Sequence, residues 1–244
     1  MKKTKNAIKL LKSKIYSRLI RYFKSHLIEL RFIDILEKNY KKNKSKFSVI
    51  LVGANDGISH DFLYDFFKYR DVNGIAIEPI KDTFDDLRSN FNIFPNIKLV
   101  NKAVHPNSKR VIMYKVNPAK LKFLPCWANG IGSLFSDHHL KSGIEKENII
   151  EEEVDADNLM NIIDESFFKN SDLDLLQIDT EGFDFIVLKM IAWDRFHPRI
   201  IKYEICNLQS NELKDSINLL KENGYYTFFE GNDMIALDLY KVLL

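Results

Sequence analysis

Two hydrophobic patterns divide the chain near residue 46. Before this point, apolar residues recur at steps of three and four from Ile8 to Leu30, with Lys and Arg between them. That spacing predicts an amphipathic helical arm. From Phe47 onward, short runs rich in β-branched residues alternate with stretches of helical periodicity, which predicts alternating strands and helices. We therefore assign residues 1–46 to an N-terminal extension and residues 47–244 to one globular domain.

The alternation predicts an α/β domain built on a doubly wound, mostly parallel sheet. Predicted strands cover residues 47–52, 74–77, 97–104, 110–116, 149–154, 173–178, 200–205, 225–229 and 234–239. Predicted helices cover residues 59–70, 81–92, 156–166, 183–191 and 210–223. Gly231-Asn232-Asp233 indicates a hairpin turn, so one edge of the sheet is expected to be antiparallel. Residues 117–148 interrupt the rhythm, and such an insertion is expected to shape a ligand site.

Charge separates the two parts of the chain further. Residues 1–46 hold 15 Lys/Arg and 3 Asp/Glu, whereas the remainder holds 21 and 31. The basic arm is expected to contact an anionic membrane surface or an acidic partner. The alternative is a helix that packs on the domain and keeps a solvated basic face. Nucleic acid is not an expected partner, because the basic residues belong to no recognised nucleic-acid module.

The two cysteines suggest where the protein works. Cys126 and Cys206 lie far apart and lack the spacing of a metal site, so a reducing, cytoplasmic setting is expected. No apolar run approaches the ~20 residues of a membrane span. The N-terminus has no apolar core typical of a secretory signal. Membrane contact, if the arm makes it, is therefore expected to be peripheral, on the inner face.

The turn after the first predicted strand is a candidate ligand site. Gly53, Ala54, Asn55 and Gly57 follow a buried strand and precede a predicted helix, for which Ser59 is a candidate N-cap. Small residues at such a turn let the backbone approach a phosphate or nucleotide. A plain strand-to-helix turn is the alternative interpretation.

Acidic residues at two later strand ends support a nucleotide-type ligand. Glu78 ends the second strand, where an acid can accept hydrogen bonds from both hydroxyls of a ribose. Asp179, Glu181 and Asp184 follow the strand at 173–178. Such acids suit a base, a metal ligand or a cosubstrate contact. The alternative is that they complement the helix dipole, because acidic residues are favoured at a helix N-terminus. His138, in the insertion, is a further candidate base.

These segments together resemble the FkbM family of methyltransferases. The resemblance covers about residues 47–240 and rests on ordered motifs: Val52-Gly53-Ala54-Asn55-Asp56-Gly57, Ala76-Ile77-Glu78-Pro79, Asn101-Lys102-Ala103-Val104, Gly130-Ile131-Gly132-Ser133-Leu134 and Ile178-Asp179-Thr180-Glu181-Gly182-Phe183-Asp184. It implies a Rossmann-like class I fold with a seven-stranded sheet. It also implies methyl transfer from S-adenosylmethionine to oxygen, commonly a hydroxyl of a sugar, glycan or small metabolite.

The resemblance also implies roles for individual residues. Gly53, Ala54, Asn55 and Gly57 would hold the methionine part of the cofactor. Glu78, with Pro79 beside it, would bind the ribose, and Asn101, Lys102 and Ala103 would lie near the adenine. Asp179 would face both cofactor and acceptor, with Asp179, Glu181 and His138 as candidate bases. Trp127 and Phe123 are expected to stack on the acceptor.

One position departs from the pattern, and alternatives stay open. Many methyltransferases carry an acid two residues before the first glycine, where it helps to hold the cofactor amine. Here that residue is Leu51, so Asp179 or Asp56 would have to compensate. The alternatives are a nicotinamide-dependent oxidoreductase, against which the absent G-x-G-x-x-G argues, and an inactive binding protein with the same fold. The sequence neither requires a divalent metal nor indicates an oligomeric state.

Overall fold

The computed structural model describes residues 30–43, 47–59, 62–166 and 173–244. The strands are β1 (Ser48–Val52), β2 (Asn73–Ile77), β3 (Ile97–Val100), β4 (Ala103–Val104), β5 (Arg110–Val116), β6 (Gly132–Ser133), β7 (Ile149–Asp157), β8 (Leu175–Ile178), β9 (Ile200–Glu204), β10 (Tyr226–Glu230) and β11 (Asp233–Leu237). The helices are α1 (Phe32–Asn43), α2 (Leu63–Lys68), α3 (Lys81–Asn90), α4 (His138–Lys141), α5 (Leu159–Asp164), α6 (Asp184–Lys189) and α7 (Ser210–Glu222).

The central sheet has seven strands in the order β10-β11-β9-β8-β1-β2-β3. Strands β3, β2, β1, β8 and β9 pair in parallel, while β11 pairs antiparallel with both β9 and β10. The chain runs outward from β1 to β3 and then returns to place β8 on the other side of β1. The expected mixed sheet with its C-terminal hairpin is confirmed, and ligands of such sheets bind at the carboxyl ends beside this switch point.

A second sheet corrects the predicted topology. Strands β4, β7, β5 and β6 form a separate four-stranded sheet, in which β5 pairs antiparallel along its whole length with β7. Both long strands were expected within one doubly wound sheet. They pair with each other instead, and β6 from the insertion pairs with the end of β5.

The core lies on both faces of the central sheet. In β1, Ile50 and Val52 pack with residues of α5, α6 and α7, whereas Val49 and Leu51 pack with residues of α1, α2 and α3. All strand residues of β1 are buried, which accounts for its continuous apolar run. This two-sided burial fixes the ends of β1, β2 and β8 relative to one another.

The described part of the basic extension packs on the domain. Phe32, Ile35 and Leu36 of α1 are buried in the core, and the Asn39 side chain exchanges two hydrogen bonds with the backbone of Leu243. Helix α1 continues past Tyr40 to Asn43. Most of the predicted amphipathic arm, residues 1–29, lies outside the described residues. Within the described part of the chain, no helix has the length and apolar character to cross a membrane.

The first crossover differs from its prediction at its start. Helix α2 begins at Leu63, and no side chain caps it, so Ser59 is not its N-cap. The Asp56 carboxylate instead accepts hydrogen bonds from the backbone N–H groups of Ile58 (2.9 Å) and Ser59 (2.8 Å). The acid therefore closes the turn that Ser59 was expected to organise.

The insertion at 117–148 contains short ordered elements. It holds 3₁₀ turns at Pro118–Phe123, Cys126–Gly130 and Lys146–Asn148, together with β6 and α4. Tight turns lack the periodicity of longer elements, which is why the hydrophobic pattern predicted only an irregular segment. Strand β6 and α4 bring this segment to the carboxyl end of the central sheet.

Candidate active site

A cavity of about 910 Å³ opens at the carboxyl ends of β1, β2, β8 and β9. The strand ends, the turn after β1, the insertion and the loop after β9 all contribute to its walls. Its volume is in the range typical of small-molecule and cofactor sites. The cavity therefore lies where a doubly wound sheet is expected to bind its ligands.

The turn after β1 makes an unusually close contact with β8. A Cβ atom at Gly53 would lie 1.7 Å from the carbonyl oxygen of Asp179, and Gly53 has a φ of +77°. Backbone N–H groups of Gly53 and Ala54 both donate to the carbonyl oxygen of Ile77, at 3.0 and 2.9 Å. Only glycine fits this position, and its missing side chain lets the turn contact the backbone at the ends of both β2 and β8.

Glu78 lies buried at the end of β2, held by backbone groups. Its carboxylate accepts hydrogen bonds from the N–H of Asn55 (3.0 Å) and the N–H of Ile80 (2.9 Å). Asn55 has a φ of 50°, a left-handed conformation that turns its N–H toward the acid. Burial raises the pKa of Glu78 to about 7, and the two backbone hydrogen bonds oppose that rise.

Asp179 begins the loop after β8 and opens onto the cavity. Its backbone N–H donates to the carbonyl oxygen of Val52 at 2.9 Å, so it continues the pairing of β8 with β1. Asp179 is exposed toward the cavity and lines its wall. Desolvation within the cavity, followed by the charges of Glu204, Asp184 and Glu181, raises the pKa of Asp179 well above its usual range.

Glu181 belongs to a network of side chains at the same end of the cavity. Its Oε2 lies 2.9 Å from Nε2 of His138 and accepts a hydrogen bond from Nδ2 of Asn207 at 3.0 Å. Nδ2 of Asn207 also donates to Oε2 of Glu204 at 2.8 Å, so one amide holds two carboxylates. Sγ of Cys206 donates to the other oxygen of Glu204 at 3.0 Å.

The backbone of Glu181 is held in place from the insertion. Glu181 has a φ of 52°, and its carbonyl oxygen accepts a hydrogen bond from Oγ of Ser133 at 2.9 Å. A left-handed conformation is uncommon for a residue with a long side chain. The Gly-Ile-Gly-Ser motif of the insertion therefore positions the acid turn after β8, through Ser133.

Asp184 supports the acid turn from below the cavity. It is the first residue of α6, is fully buried, and accepts hydrogen bonds from Oγ1 of Thr180 (3.1 Å) and N–H of Gly182 (3.2 Å). Burial and then the charge of Glu204 raise the pKa of Asp184 to about 7. Its position fits the helix N-terminal role considered for one of the three acids.

The structure brings the predicted site residues together, with one exception. The cavity wall includes Gly53, Ala54, Asn55, Gly57, Glu78, Pro79, Lys102, Ala103, Asp179 and Glu181. His138 is buried behind Glu181 and meets the cavity only through that acid. The assigned roles of these residues in binding and catalysis stay predictions.

Three other expectations concern residues near the cavity. Asn101 does not line the cavity in the described structure, because its amide donates to the carbonyl oxygens of Glu78 (2.9 Å) and Pro79 (2.8 Å). Phe123 is 73% exposed and lies outside the described cavity wall. The side chain of Trp127 lies outside the described residues. Asp56, closing its own turn, does not present a free carboxylate in place of Leu51.

Sequence reasoning missed part of the acid network. Glu204 ends β9, so the argument that singled out Glu78 and Asp179 would have found it as well. Asn207 and Cys206 follow in an irregular loop and carry no motif. They join the site because this loop folds back over the acid turn after β8, which no local pattern predicts.

The fold and cavity define a class of protein. The seven-stranded order with its antiparallel C-terminal hairpin, and a cavity between a glycine turn and the ends of β2 and β8, are those of a class I Rossmann-like methyltransferase. A family model described as the methyltransferase FkbM domain matches residues 52–226, well over half of the chain. The chain belongs to the FkbM methyltransferase family.

Three solved structures align with the chain, and the first of them agrees in fold. The crystal structure of methyltransferase FkbM from Methylobacillus flagellatus KT aligns with 14% identity and a TM-score of 0.51. The alignment covers 79% of this chain but only 44% of that protein, so this chain spans less than half of its length. Precorrin-6y C5,15-methyltransferase from Geobacter metallireducens GS-15 aligns with 13% identity and a TM-score of 0.40, over 84% of this chain and 86% of that one. The METTL16 methyltransferase domain aligns with 12% identity and a TM-score of 0.45, over 87% and 70%. No curated protein matches the chain significantly.

The residues present fit the cofactor that methyltransferases of this fold generally use, S-adenosylmethionine. The turn after β1 forms one wall of the cavity, where Gly53 packs closely against the Asp179 carbonyl oxygen, and Glu78 presents an anchored carboxylate beside it. Leu51 is the exception, because it is apolar and largely buried in the core. Among the described residues, no group of three or more His, Cys, Asp or Glu side chains is arranged to hold a metal ion.

Proposed function

We propose that the chain transfers the methyl group of S-adenosylmethionine to an oxygen nucleophile, a hydroxyl of a sugar, glycan or small metabolite. The observation that carries this proposal is the single cavity that joins a cofactor-type turn to a network of carboxylates. The turn with Glu78 supplies binding, and the carboxylates supply groups able to take a proton from a hydroxyl.

The two ends of the cavity would divide the work. Glu78, fixed by two backbone N–H groups, would accept hydrogen bonds from the ribose hydroxyls. Gly53, Ala54, Asn55 and Gly57 would border the methionine part, with Lys102 and Ala103 near the adenine. S-adenosylmethionine supplies a methyl group made electrophilic by its positive sulfur. Because transfer is an in-line displacement, the walls must hold the acceptor oxygen opposite that sulfur.

Proton removal would fall to the acid network. Glu181 and Glu204 face the cavity, and Asn207 holds both carboxylates at one place. Burial raises the pKa of Glu204, so it takes a proton more readily than an exposed carboxylate. His138 contacts Glu181 from behind and would orient it. A network of hydrogen-bond acceptors also suits an acceptor molecule rich in hydroxyl groups.

The proposal is tested first by binding and then by transfer. Calorimetry should detect binding of both S-adenosylmethionine and S-adenosylhomocysteine. Glu78→Ala should weaken both affinities at least tenfold, since it removes a charged hydrogen-bond acceptor. An acceptor screen with isotopically labelled cofactor, covering cell-envelope sugars, glycolipid precursors and small metabolites, should then give a product whose new methyl group mass spectrometry places on oxygen. A methyl group on nitrogen or carbon would contradict the proposal.

Two alternatives make different predictions. A nicotinamide-dependent oxidoreductase would bind NADH, which a fluorescence titration would detect, and would not bind the methyl donor. An inactive binding protein would bind the cofactor but transfer no label to any cell extract.

The contact of residues 1–46 with an anionic membrane or an acidic partner remains a prediction. Vesicle sedimentation of the full chain, compared with a chain lacking residues 1–29, tests it.

A further inference from the structure

One carboxylate in the cavity wall differs from the others. Among the described residues, the acids of the wall are Asp56, Glu78, Asp179, Glu181 and Glu204. Four of them accept hydrogen bonds from named protein groups: backbone N–H groups for Asp56 and Glu78, and the Asn207 amide for Glu181 and Glu204. No described residue donates a hydrogen bond to the carboxylate of Asp179.

The lysines of the cavity wall do not neutralise Asp179. Nζ of Lys202 lies 3.0 Å from Oδ2 of Asp233, and Nζ of Lys141 donates to the carbonyl oxygen of Asn207 at 2.9 Å. Nζ of Lys102 lies 3.3 Å from Oδ2 of Asp157. Asp179 instead faces the negative charges of Glu204, Asp184 and Glu181, and the positive charge of Lys202 is the smallest of these influences. A carboxylate set mainly among like charges is stabilised by a cation that comes into contact with it.

Asp179 also lies beside the turn that would hold the cofactor. Leu51 pairs with Gln177 and Val52 with Ile178, so Asp179 stands level with Gly53 on the neighbouring strand. Side chains alternate along a strand, which places Asp179 on the same face as Gln177 and Leu51. All three line the cavity. The carboxylate is therefore on the face where Leu51 supplies no charge.

The order of the strands gives the direction of the cofactor. Lys102 and Ala103 follow β3, Glu78 follows β2, and the glycine turn follows β1. With adenine near the first pair and ribose at Glu78, the remaining part of the molecule extends over β1 toward β8, the next strand in the sheet. The residue that ends β8 is Asp179. The α-ammonium group at the methionine end of the cofactor is a cation of the kind that Asp179 lacks.

We propose that Asp179 binds the α-ammonium group of the cofactor, and so is a cofactor-binding residue and not the base that deprotonates the acceptor. This inference rests on the proposed use of S-adenosylmethionine. The base would then be Glu181 or Glu204, whose carboxylates are held by Asn207 farther along the cavity.

Calorimetry with three ligands tests this assignment without an identified acceptor. S-adenosylmethionine and S-adenosylhomocysteine both carry the ammonium group, whereas 5′-methylthioadenosine has the adenosine and the sulfur but lacks the amino acid. Asp179→Asn should weaken the first two at least tenfold, since a charged hydrogen bond is lost. The affinity for 5′-methylthioadenosine should stay within twofold, which also shows that the variant is folded.

A matched control and the opposing outcomes complete the test. Asp215→Asn makes the same change at an exposed position of α7 outside the cavity wall, and should leave all three affinities within about threefold. Equal losses for all three ligands with Asp179→Asn, a loss for S-adenosylmethionine alone, or no loss at all would each overturn the assignment. If the wild type bound none of the three, the proposed function itself would fail, and the inference with it.

Discussion

The two sides of the cavity hold their acids in different ways. On the β2 side, Glu78 is held by two backbone N–H groups, from Asn55 and Ile80. On the β8 side, Glu181 and Glu204 are held by the side chain of Asn207. Burial is the largest cause of the raised pKa both in Glu78 and in Asp184, and nearby acids add to it: Glu152 and Asp56 for Glu78, and Glu204 for Asp184.

This difference separates recognition from chemistry. Backbone donors are set by the path of the chain, so the β2 side is fixed by a short stretch of sequence and suits an invariant ligand such as a cofactor. Side-chain donors can be changed one at a time, so the β8 side can be adapted to an acceptor. Substitutions can test this contrast, and the strongest effect is expected at the position where the two sides touch.

Gly53→Ala should have the largest effect, because it disturbs both sides at once. The added Cβ would lie 1.7 Å from the Asp179 carbonyl oxygen, so the turn or the end of β8 must move. We expect a loss of about 3 kcal/mol in the free energy of unfolding, combining the collision with left-handed strain. Urea unfolding measures this loss, and affinity for S-adenosylhomocysteine should fall more than about 100-fold, or roughly 3 kcal/mol.

Gly143→Ala is the matched control for that prediction. Gly143 has a φ of +68°, but a Cβ there meets nothing within 4 Å. The substitution therefore carries the strain without the collision and should cost only about 1 kcal/mol. If the two variants lost equal stability, the contact between Gly53 and β8 would not be what requires glycine.

Asp184→Asn should show how much the buried charge of Asp184 lowers the free energy of unfolding. The folded-state pKa of Asp184 is about 7, above its ordinary value of 3.8, so the folded protein holds this proton more tightly than the unfolded chain. Stability is therefore lost as pH rises from about 4 to about 7 and is level above that. Relative to wild type, the variant should gain at most on the order of 4 kcal/mol across this window.

Urea unfolding at pH 5 and pH 8 measures that gain. Asp215→Asn, the same substitution at an exposed position of α7, should leave the difference between the two pH values unchanged. Equal pH dependence in wild type and Asp184→Asn would contradict the buried charge.

Glu78→Gln should remove a pH dependence from cofactor binding. In the protein without cofactor, the pKa of Glu78 is about 7. Ribose hydroxyls would donate hydrogen bonds to the ionised carboxylate, so cofactor binding favours the form of Glu78 that has lost its proton. Wild-type affinity for S-adenosylhomocysteine should therefore fall about tenfold as pH drops from 8 to 6. Calorimetry of Glu78→Gln should show a weaker slope. Any slope that remains belongs to Asp179, which Asp179→Asn would remove separately.

How much of the site the sequence predicted follows the same contrast. The glycine turn and Glu78 lie on one strand-helix-strand path, β1-α2-β2, and hydrophobic runs locate the strand ends that carry Glu78 and Asp179. Asn207 and Glu181 meet across 26 positions of sequence through side chains alone. Likewise, β5 and β7 were each predicted from their apolar residues, but their pairing in a separate sheet depends on contacts that a local pattern does not contain.

Asn207→Ala should have the smallest effect, confined to the β8 side. The hydrogen bond from Asn207 favours the ionised form of Glu204, so its loss should raise the pKa of Glu204 further. Because Glu204 is only partly buried and keeps its hydrogen bond from Cys206, we expect this rise in pKa to be small. An NMR titration of ¹³C-labelled glutamate carboxyl groups measures it.

Two controls turn that shift into a comparison of the two sides. Asn232→Ala removes another amide from the cavity wall, one with no described hydrogen bond to Glu204, and should leave the titration of Glu204 in place. Asn55→Gly removes a side chain beside Glu78 but keeps the backbone N–H that donates to the Glu78 carboxylate. Glycine also adopts the left-handed backbone conformation of Asn55 readily. Glu78 should then still titrate near pH 7, because its donors belong to the backbone. A shift of Glu78 in Asn55→Gly as large as that of Glu204 in Asn207→Ala would mean that side chains hold both sides alike.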